Sequence, residues 1–173
     1  MRLKDADLLK VSESLFIFNE KEGLLIRKID VPKTPCKKGD TVGSLDSKGY
    51  LRVSIKGIAY LVHRIIYLMN NHQLPVFLDH IDRDKTNNKL SNLREITVAQ
   101  NTQNRKKPRN NTSGVKGVNF LKSINKWQAR IMKNGKRISL GNYSMLEDAE
   151  RAYNKACVKY HGKYACPNNR GEK

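Results

Sequence analysis

The sequence predicts an α+β protein of two small modules. Three patterns carry that expectation: short alternating apolar runs before residue 60, one helical apolar stretch at 61–71, and a strand, hairpin, strand and helix in succession after residue 113. At 173 residues the chain can bury one respectable core, or one core plus a small satellite, since domains usually run about 100–150 residues.

Taken in order, Leu15–Phe18 and Leu24–Arg27 read as strands around a turn containing Gly23, and Tyr50–Ile55 alternates after the turn Ser47-Lys48-Gly49. Residues 1–60 therefore read as a small β region. Leu61, Ile65, Leu68 and Met69 then fall at helical spacing before the breaker Pro75, which places His63 and Arg64 on a helix. Residues 105–114, RKKPRNNTSG, are basic, turn-forming and have nothing to bury. They predict a basic connector at 105–112 between modules at 1–104 and 113–168, with 169–173 as a tail.

Beyond the connector, Val115–Phe120 and Lys126–Met132 read as strands, and Asn134-Gly135 is a strong two-residue hairpin signal before a third strand, Lys136–Leu140. Ser144 and Glu147 have capping-box spacing, and Leu146, Ala149, Tyr153, Ala156 and Tyr160 form one apolar helix face that stops at Gly162. Three strands and one packed helix make a feasible small unit.

The net charge is +18, from 34 Lys+Arg against 16 Asp+Glu, an excess that implies a polyanionic partner, with nucleic acid foremost. The charge is concentrated: residues 101–173 hold 17 Lys+Arg and 4 acids, and no acidic residue falls between Glu95 and Glu147, where eleven Lys or Arg do. A merely solvated face rarely runs so long without acids. No apolar run reaches the roughly 18 residues of a membrane span, and no Lys-faced amphipathic helix is expected at the N-terminus, so no membrane partner is expected. Cys36, Cys157 and Cys166 have neither the number nor the spacing of a disulfide framework or zinc knuckle. The first residues lack the apolar core of a secretory signal, so a cytoplasmic location is expected.

The chemistry concentrates in residues 77–101, FLDHIDRDKTNNKLSNLREITVAQN. Adjacent Asp79 and His80 can point to opposite sides of a strand, one toward a metal and one toward a water. Asn92 follows twelve residues after His80 and Asn101 nine later, in a stretch readable as a returning helix with Leu90, Leu93 and Ile96 on its core face. Hydrolysing a phosphodiester needs a nucleophilic water, a base and a cation that neutralises developing charge, and Asp79, His80 and Asn101 could supply these around one ion. Oxygen donors favour Mg²⁺, with Mn²⁺ able to substitute, over zinc. Asn87 and Asn88 read as turn and cap residues, and His72 and His161 as surface residues.

Residues 10–104 resemble the HNH endonucleases of ββα-metal fold, especially the phage and intron-encoded kind. The resemblance rests on Gly49-Tyr50, Val62-His63-Arg64, the run from Asp79-His80-Ile81-Asp82 through Asn87-Asn88 to Asn92-Leu93-Arg94, and the closing Asn101 and Asn104. It implies a DNA endonuclease in which Asp79 and Asn101 bind one divalent ion, His80 is the general base and Asn92 holds the His-bearing loop by hydrogen bonds. His63 and Arg64 are possible supports of the site. The third motif letter is Asn rather than His, and Arg83 stands where many relatives have Gly, a difference that bears on the turn and on no catalytic atom.

Residues 113–168 resemble the plant ethylene-response-factor type of DNA-binding domain through Lys116-Gly117-Val118, Lys126-Trp127-x-Ala129-x-Ile131, Leu140-Gly141-x-Tyr143, Glu147-Asp148-Ala149-x-x-Ala152-Tyr153 and Gly162. With Trp127, Ala129 and Ile131 turned to the helix, the open face of the sheet could enter a major groove. The resemblance maps contacts to double-stranded DNA onto Lys116, Asn119, Arg130, Arg137 and Ser139, and Lys133 and Lys136 join them as basic candidates. Several of these differ in type from the plant proteins, so no base preference transfers. Two rival expectations are a regulator with a degenerate, non-catalytic HNH fold and an RNA-binding protein; inward-facing Trp127 argues against the second. The sequence leaves monomer or dimer open.

Overall fold

The computed structural model describes residues 3–104 and 111–168, and its fold divides into two units, Met1–Ile96 and Thr97–Lys173. The expected connector falls largely on 105–110, and the expected tail on 169–173, both outside the described residues. The α+β class holds: both units combine helices with small antiparallel sheets.

The first unit opens with helix α1 (Asp5–Leu15), where the sequence pattern predicts only strands. Asp5 and Asp7 in its first turn suit the positive end of the helix dipole, and Leu8 and Ser12 lie one turn apart on its buried face. Strands β1 (Phe16–Asn19), β2 (Leu24–Arg27) and β3 (Thr41–Val42) follow as one antiparallel sheet; β4 (Ser44–Leu45), β5 (Leu51–Ile55) and β6 (Ile58–Leu61) form a second. Helix α2 (Val62–Asn71) buries Val62, Ile65, Ile66 and Leu68 in a shared core with Leu8, Phe16, Leu25, Val53 and Ile55. His72, exposed as expected, ends α2 in the left-handed conformation, its N–H bonded to the Leu68 carbonyl.

Strand β7 (Phe77–His80) then pairs with β8 (Leu93–Ile96) in antiparallel register, His80 opposite Leu93 and Asp79 opposite Arg94. This corrects the helix expected over Leu90, Leu93 and Ile96. Leu90–Asn92 is a single 3₁₀ turn, and Leu93 and Ile96 are strand residues, because β7 offers the backbone partners that a three-residue apolar spacing cannot reveal.

The second unit begins with α3 (Val98–Asn104) and continues with β9 (Val118–Leu121), β10 (Lys126–Lys133) and β11 (Lys136–Tyr143), a sheet in the order β11-β10-β9, with α4 (Leu146–His161) against it. The hairpin turns at Asn134 and Gly135, both at positive φ as a type I′ turn requires. A register shift opposite Ala129/Arg130 leaves Leu140 bulged. Val118, Ala129 and Ile131 meet Ala149, Tyr153, Ala156 and Cys157 in a separate core.

Two expectations fail in α4. Its N-cap is Met145, with no side-chain cap bond, so Ser144 does not close a capping box; Glu147 and Asp148 in the first turn serve the helix dipole instead. His161 is buried rather than on the surface, its Nε2 2.8 Å from the Met132 carbonyl, because the last turn of α4 packs over the end of β10.

Gly117 is where the second unit is least tolerant. Its φ is +75°, its carbonyl accepts the Arg130 N–H at 2.8 Å, and a Cβ there would enter the Tyr153 ring and sit 2.7 Å from the Arg130 carbonyl. Gly117→Ala is expected to destabilise this unit by about 2–4 kcal/mol, from the left-handed backbone and the overpacked ring together. Urea unfolding followed by Trp127 fluorescence measures it; a loss under about 0.5 kcal/mol would show that Tyr153 simply moves aside.

Candidate functional site

Strand β7 ends in Asp79-His80, and the pleat sends the two side chains to opposite faces. His80 turns inward and is 3% exposed. Asp79 meets its cross-strand neighbour: Arg94 Nε and Nη2 both donate to Asp79 Oδ2, at 3.2 and 2.9 Å. A guanidinium opposite the carboxylate fixes its orientation on a half-buried surface.

The loop between β7 and β8 is tied by asparagines. Asn92 Oδ1 accepts the Asp82 N–H at 3.0 Å, while Asn92 Nδ2 donates to Asp82 Oδ1 at 2.9 Å and to the Asn87 carbonyl at 2.8 Å. Its own carbonyl accepts the Ile81 N–H at 2.8 Å. Asn87 Nδ2 donates to Asp82 Oδ2 at 2.6 Å. Burial alone would raise the Asp82 pKa, but the side-chain bonds from Asn92 and Asn87 and the Asp84 N–H hold it below the ordinary value. Arg83 takes φ +67°, the conformation a glycine would adopt, with its N–H on the His80 carbonyl at 3.1 Å. The turn is therefore kept with arginine in place of glycine, at a backbone cost of about 1–2 kcal/mol.

The His80 ring is enclosed on several sides. Asn88 Oδ1 lies 3.0 Å from Nε2, and Asn88 is 1% exposed. The His63 ring stands edge-on to it with centroids 4.9 Å apart, and the Tyr50 ring is 6.1 Å away. His63, at 4% exposure, is the buried side chain that the helix position left open between site and scaffold. Burial first, then the His80 and Arg64 charges, push its pKa down to about 3, so it is neutral in the folded protein. Arg64 itself turns to the chain at the β7 entrance, donating from Nη2 to the Pro75 carbonyl at 3.1 Å. The Tyr50 hydroxyl is raised by burial and then by the negative charges of Asp79 and Asp46, and Lys85 Nζ sits 4.5 Å above its ring.

The donor set suits a hard cation. No group of three or more His, Cys, Asp or Glu among the described residues is arranged to hold a metal. The Asp79 carboxylate is an oxygen donor of the kind that hard cations such as Mg²⁺ and Mn²⁺ take. Asn101, the other expected ligand, is an exposed residue of α3 in the second unit, its N–H on the Thr97 carbonyl at 2.9 Å; its ligand role rests on the resemblance.

In the second unit the register sorts the basic candidates. Asn119 opposes Gln128, Arg130 opposes Ser139 and Met132 opposes Arg137, so these side chains share the sheet face away from α4. Asn119, Arg130, Met132 and Arg137 rim a shallow depression of about 190 Å³ on it. Lys133 and its partner Lys136 lie on the other side, and Lys133 Nζ is 4.7 Å above the Tyr160 ring of α4. Lys116 precedes β9 and donates from Nζ to the Gln103 carbonyl at 3.0 Å. Trp127 faces the helix side, half-buried, with the 41% exposed Phe120 ring 4.8 Å from it.

Residues 60–103 match the HNH endonuclease family model. Similarity extends to Protein 3.8 of Escherichia phage T7, 33% identical over 89 residues, which are 51% of this chain and 73% of that protein. The chain belongs to the HNH endonuclease family. An uncharacterized HNH endonuclease of Acanthamoeba polyphaga mimivirus is 36% identical over 110 residues, 62% of this chain but 56% of that protein, so the chain spans little more than half of that relative. An AP2-like ethylene-responsive transcription factor of Arabidopsis thaliana is 35% identical over 60 residues, 35% of this chain and 12% of that protein. No solved structure matches.

The HNH match covers Asp79, His80, Asn92 and Asn101, and also three residues whose roles the sequence did not disclose. Asn88, read as a turn residue, is the buried partner of His80, and Arg94 is the partner of Asp79. His63, its role left open, packs on the His80 ring. The Asn87-Asn88 doublet eight residues after His80 was the available signal for the first; a cross-strand arginine carries none until the register is known.

Proposed function

We propose that this chain hydrolyses phosphodiester bonds of double-stranded DNA in the presence of Mg²⁺ or Mn²⁺, and that its second unit grips the DNA. The observation that carries the reading is the Asp79-His80 pair at the end of β7, the His80 ring held through Nε2 by Asn88 and the Asp79 carboxylate fixed by Arg94. His80 Nδ1, the ring nitrogen that does not face Asn88, would accept the proton of the attacking water. Asp79 would hold the cation through its carboxylate, and the bound cation would neutralise charge on the phosphate and the leaving 3′ oxygen. Asn92 would keep the loop closed. Family resemblance implies 5′-phosphate and 3′-hydroxyl products.

Asn119, Arg130, Arg137 and Ser139 would form the DNA-facing surface, because a three-stranded sheet fits a major groove and two guanidiniums supply phosphate or guanine contacts. The acid-free stretch from Ile96 to Leu146 supports this, as does the similarity to an AP2-like transcription factor. Arg130→Ala and Arg137→Ala are each expected to weaken binding about tenfold in a low-salt gel-shift titration, while cleavage at saturating protein is retained. Unchanged binding in both would remove this surface from the proposal. Among the described residues no helix is long and apolar enough to cross a membrane.

A second reading, a DNA-binding regulator without catalysis, draws on the Arg94–Asp79 pair, which gives the carboxylate a partner other than a cation. Supercoiled plasmid and phage genomic DNA separate the two readings. Nicking or linearisation that needs added Mg²⁺ or Mn²⁺ and stops with a chelator supports the nuclease; binding without cleavage on both substrates supports the regulator.

A further inference from the structure

We propose that Asn88 is a positioning residue that selects the tautomer of His80. The inference rests on the reading of His80 as the base. A fully buried amide is costly unless hydrogen-bonded, yet Asn88, 1% exposed, stands in a loop whose other polar residues largely face solvent. Its Oδ1 points at His80 Nε2, 3.0 Å away. Asn88 Nδ2 is buried without a hydrogen-bond partner among the described residues, so the bond to the ring is what holds this amide. With Oδ1 turned to the ring, and a carbonyl oxygen able only to accept, Nε2 would bear the proton and the neutral ring would present its lone pair at Nδ1.

The surroundings hold both partners still. The ring is bounded by His63 and Tyr50, and the His80 backbone by the Arg83 N–H. On the other side, Gly23 at φ +73° lets the β1–β2 turn press onto the Asn88–Lys89 backbone: a Cβ there would lie 2.6 Å from the Lys89 nitrogen and 3.0 Å from the Asn88 carbonyl carbon. The two asparagines thus divide the work. Asn92 closes the loop through side-chain hydrogen bonds to Asp82 and Asn87, while the side-chain bond of Asn88 goes to the ring.

The test is a two-bond ¹H–¹⁵N correlation spectrum of the full chain without metal or DNA, His80 being identified by its loss in His80→Gln. The neutral ring is expected to show the Nε2–H tautomer in the wild type and in Asn88→Asp, which keeps an acceptor, and a mixture in Asn88→Leu. With plasmid and Mg²⁺, Asn88→Leu is expected to lower kcat about 100-fold with KM unchanged, and Asn88→Asp to restore most of it. An Nδ1–H tautomer in the wild type, or an unaltered tautomer in Asn88→Leu, overturns the assignment. If Asn88→Leu does not fold, the wild-type spectrum still decides. A chain with the expected tautomer but no cleavage would instead count against the nuclease reading and leave the Asn88 assignment standing.

Discussion

His80→Ala is expected to lower the cleavage rate by about 10²–10⁴-fold while the protein still folds and binds DNA. A positioned general base contributes that much, and no second imidazole can take over: His63, the nearest, is neutral but 4% exposed and packed edge-on behind the first ring. The substitution also empties space between His63, Tyr50 and Asn88 and leaves Asn88 Oδ1 without its partner, at about 1–3 kcal/mol of stability. Plasmid cleavage must therefore be read beside a thermal melt and a gel shift on the same preparation. A folded, binding variant within threefold of wild type would show that the proton goes elsewhere and that His80 is scaffold.

The first unit is expected to lose stability as pH falls from about 6.5 toward 4, by about 3 kcal/mol over that window, and His63→Gln is expected to flatten the loss. In the unfolded chain His63 titrates near its ordinary 6.5; in the folded one burial, with the His80 and Arg64 charges, holds it near 3. A depressed histidine pKa means that the unfolded state takes up the proton first. The stabilisation is thus complete above 6.5 and declines by up to about 1.4 kcal/mol per pH unit below it, until the folded ring also protonates. Asp46, Asp82 and Asp84 are lowered as well, but from 3.8, so their contributions fade below that window. Urea midpoints of wild type and His63→Gln at several pH values separate the two groups. Parallel curves for the two proteins between pH 6.5 and 4 would mean that the pocket opens enough to solvate the imidazolium.

Much of the molecule was legible from residue order. The Asn134-Gly135 turn, the helical spacing of α2 and α4 and the β5 alternation each depend on neighbours within a turn or two, and each formed where expected. The Asp79-His80 pair and Asn92 were legible for another reason: residue type and spacing together marked one short loop. The α1 helix is not legible in residue order because its five apolar residues, Ala6, Leu8, Leu9, Val11 and Leu15, mark no single face, and Leu8 and Ser12 become a buried face when α2 and β1 pack against it. Leu90, Leu93 and Ile96 misled because a spacing of three is helical until another strand claims the backbone.

What the sequence determined by itself, then, was the α+β class, the basic bias of the C-terminal stretch and which residues stand as candidates for catalysis, since these follow from composition, short-range periodicity and motif spacing. Tertiary structure decided which partner each candidate received. Arg94 reached Asp79 through β-sheet register, Asn88 reached His80 through loop closure, His63 lost its charge through burial, and sheet parity separated Arg130 and Arg137 from Lys133 and Lys136. Hydrogen bonds and desolvation act over a few ångströms in space, and residues 8 to 17 positions apart come within that range only when the backbone between them has turned.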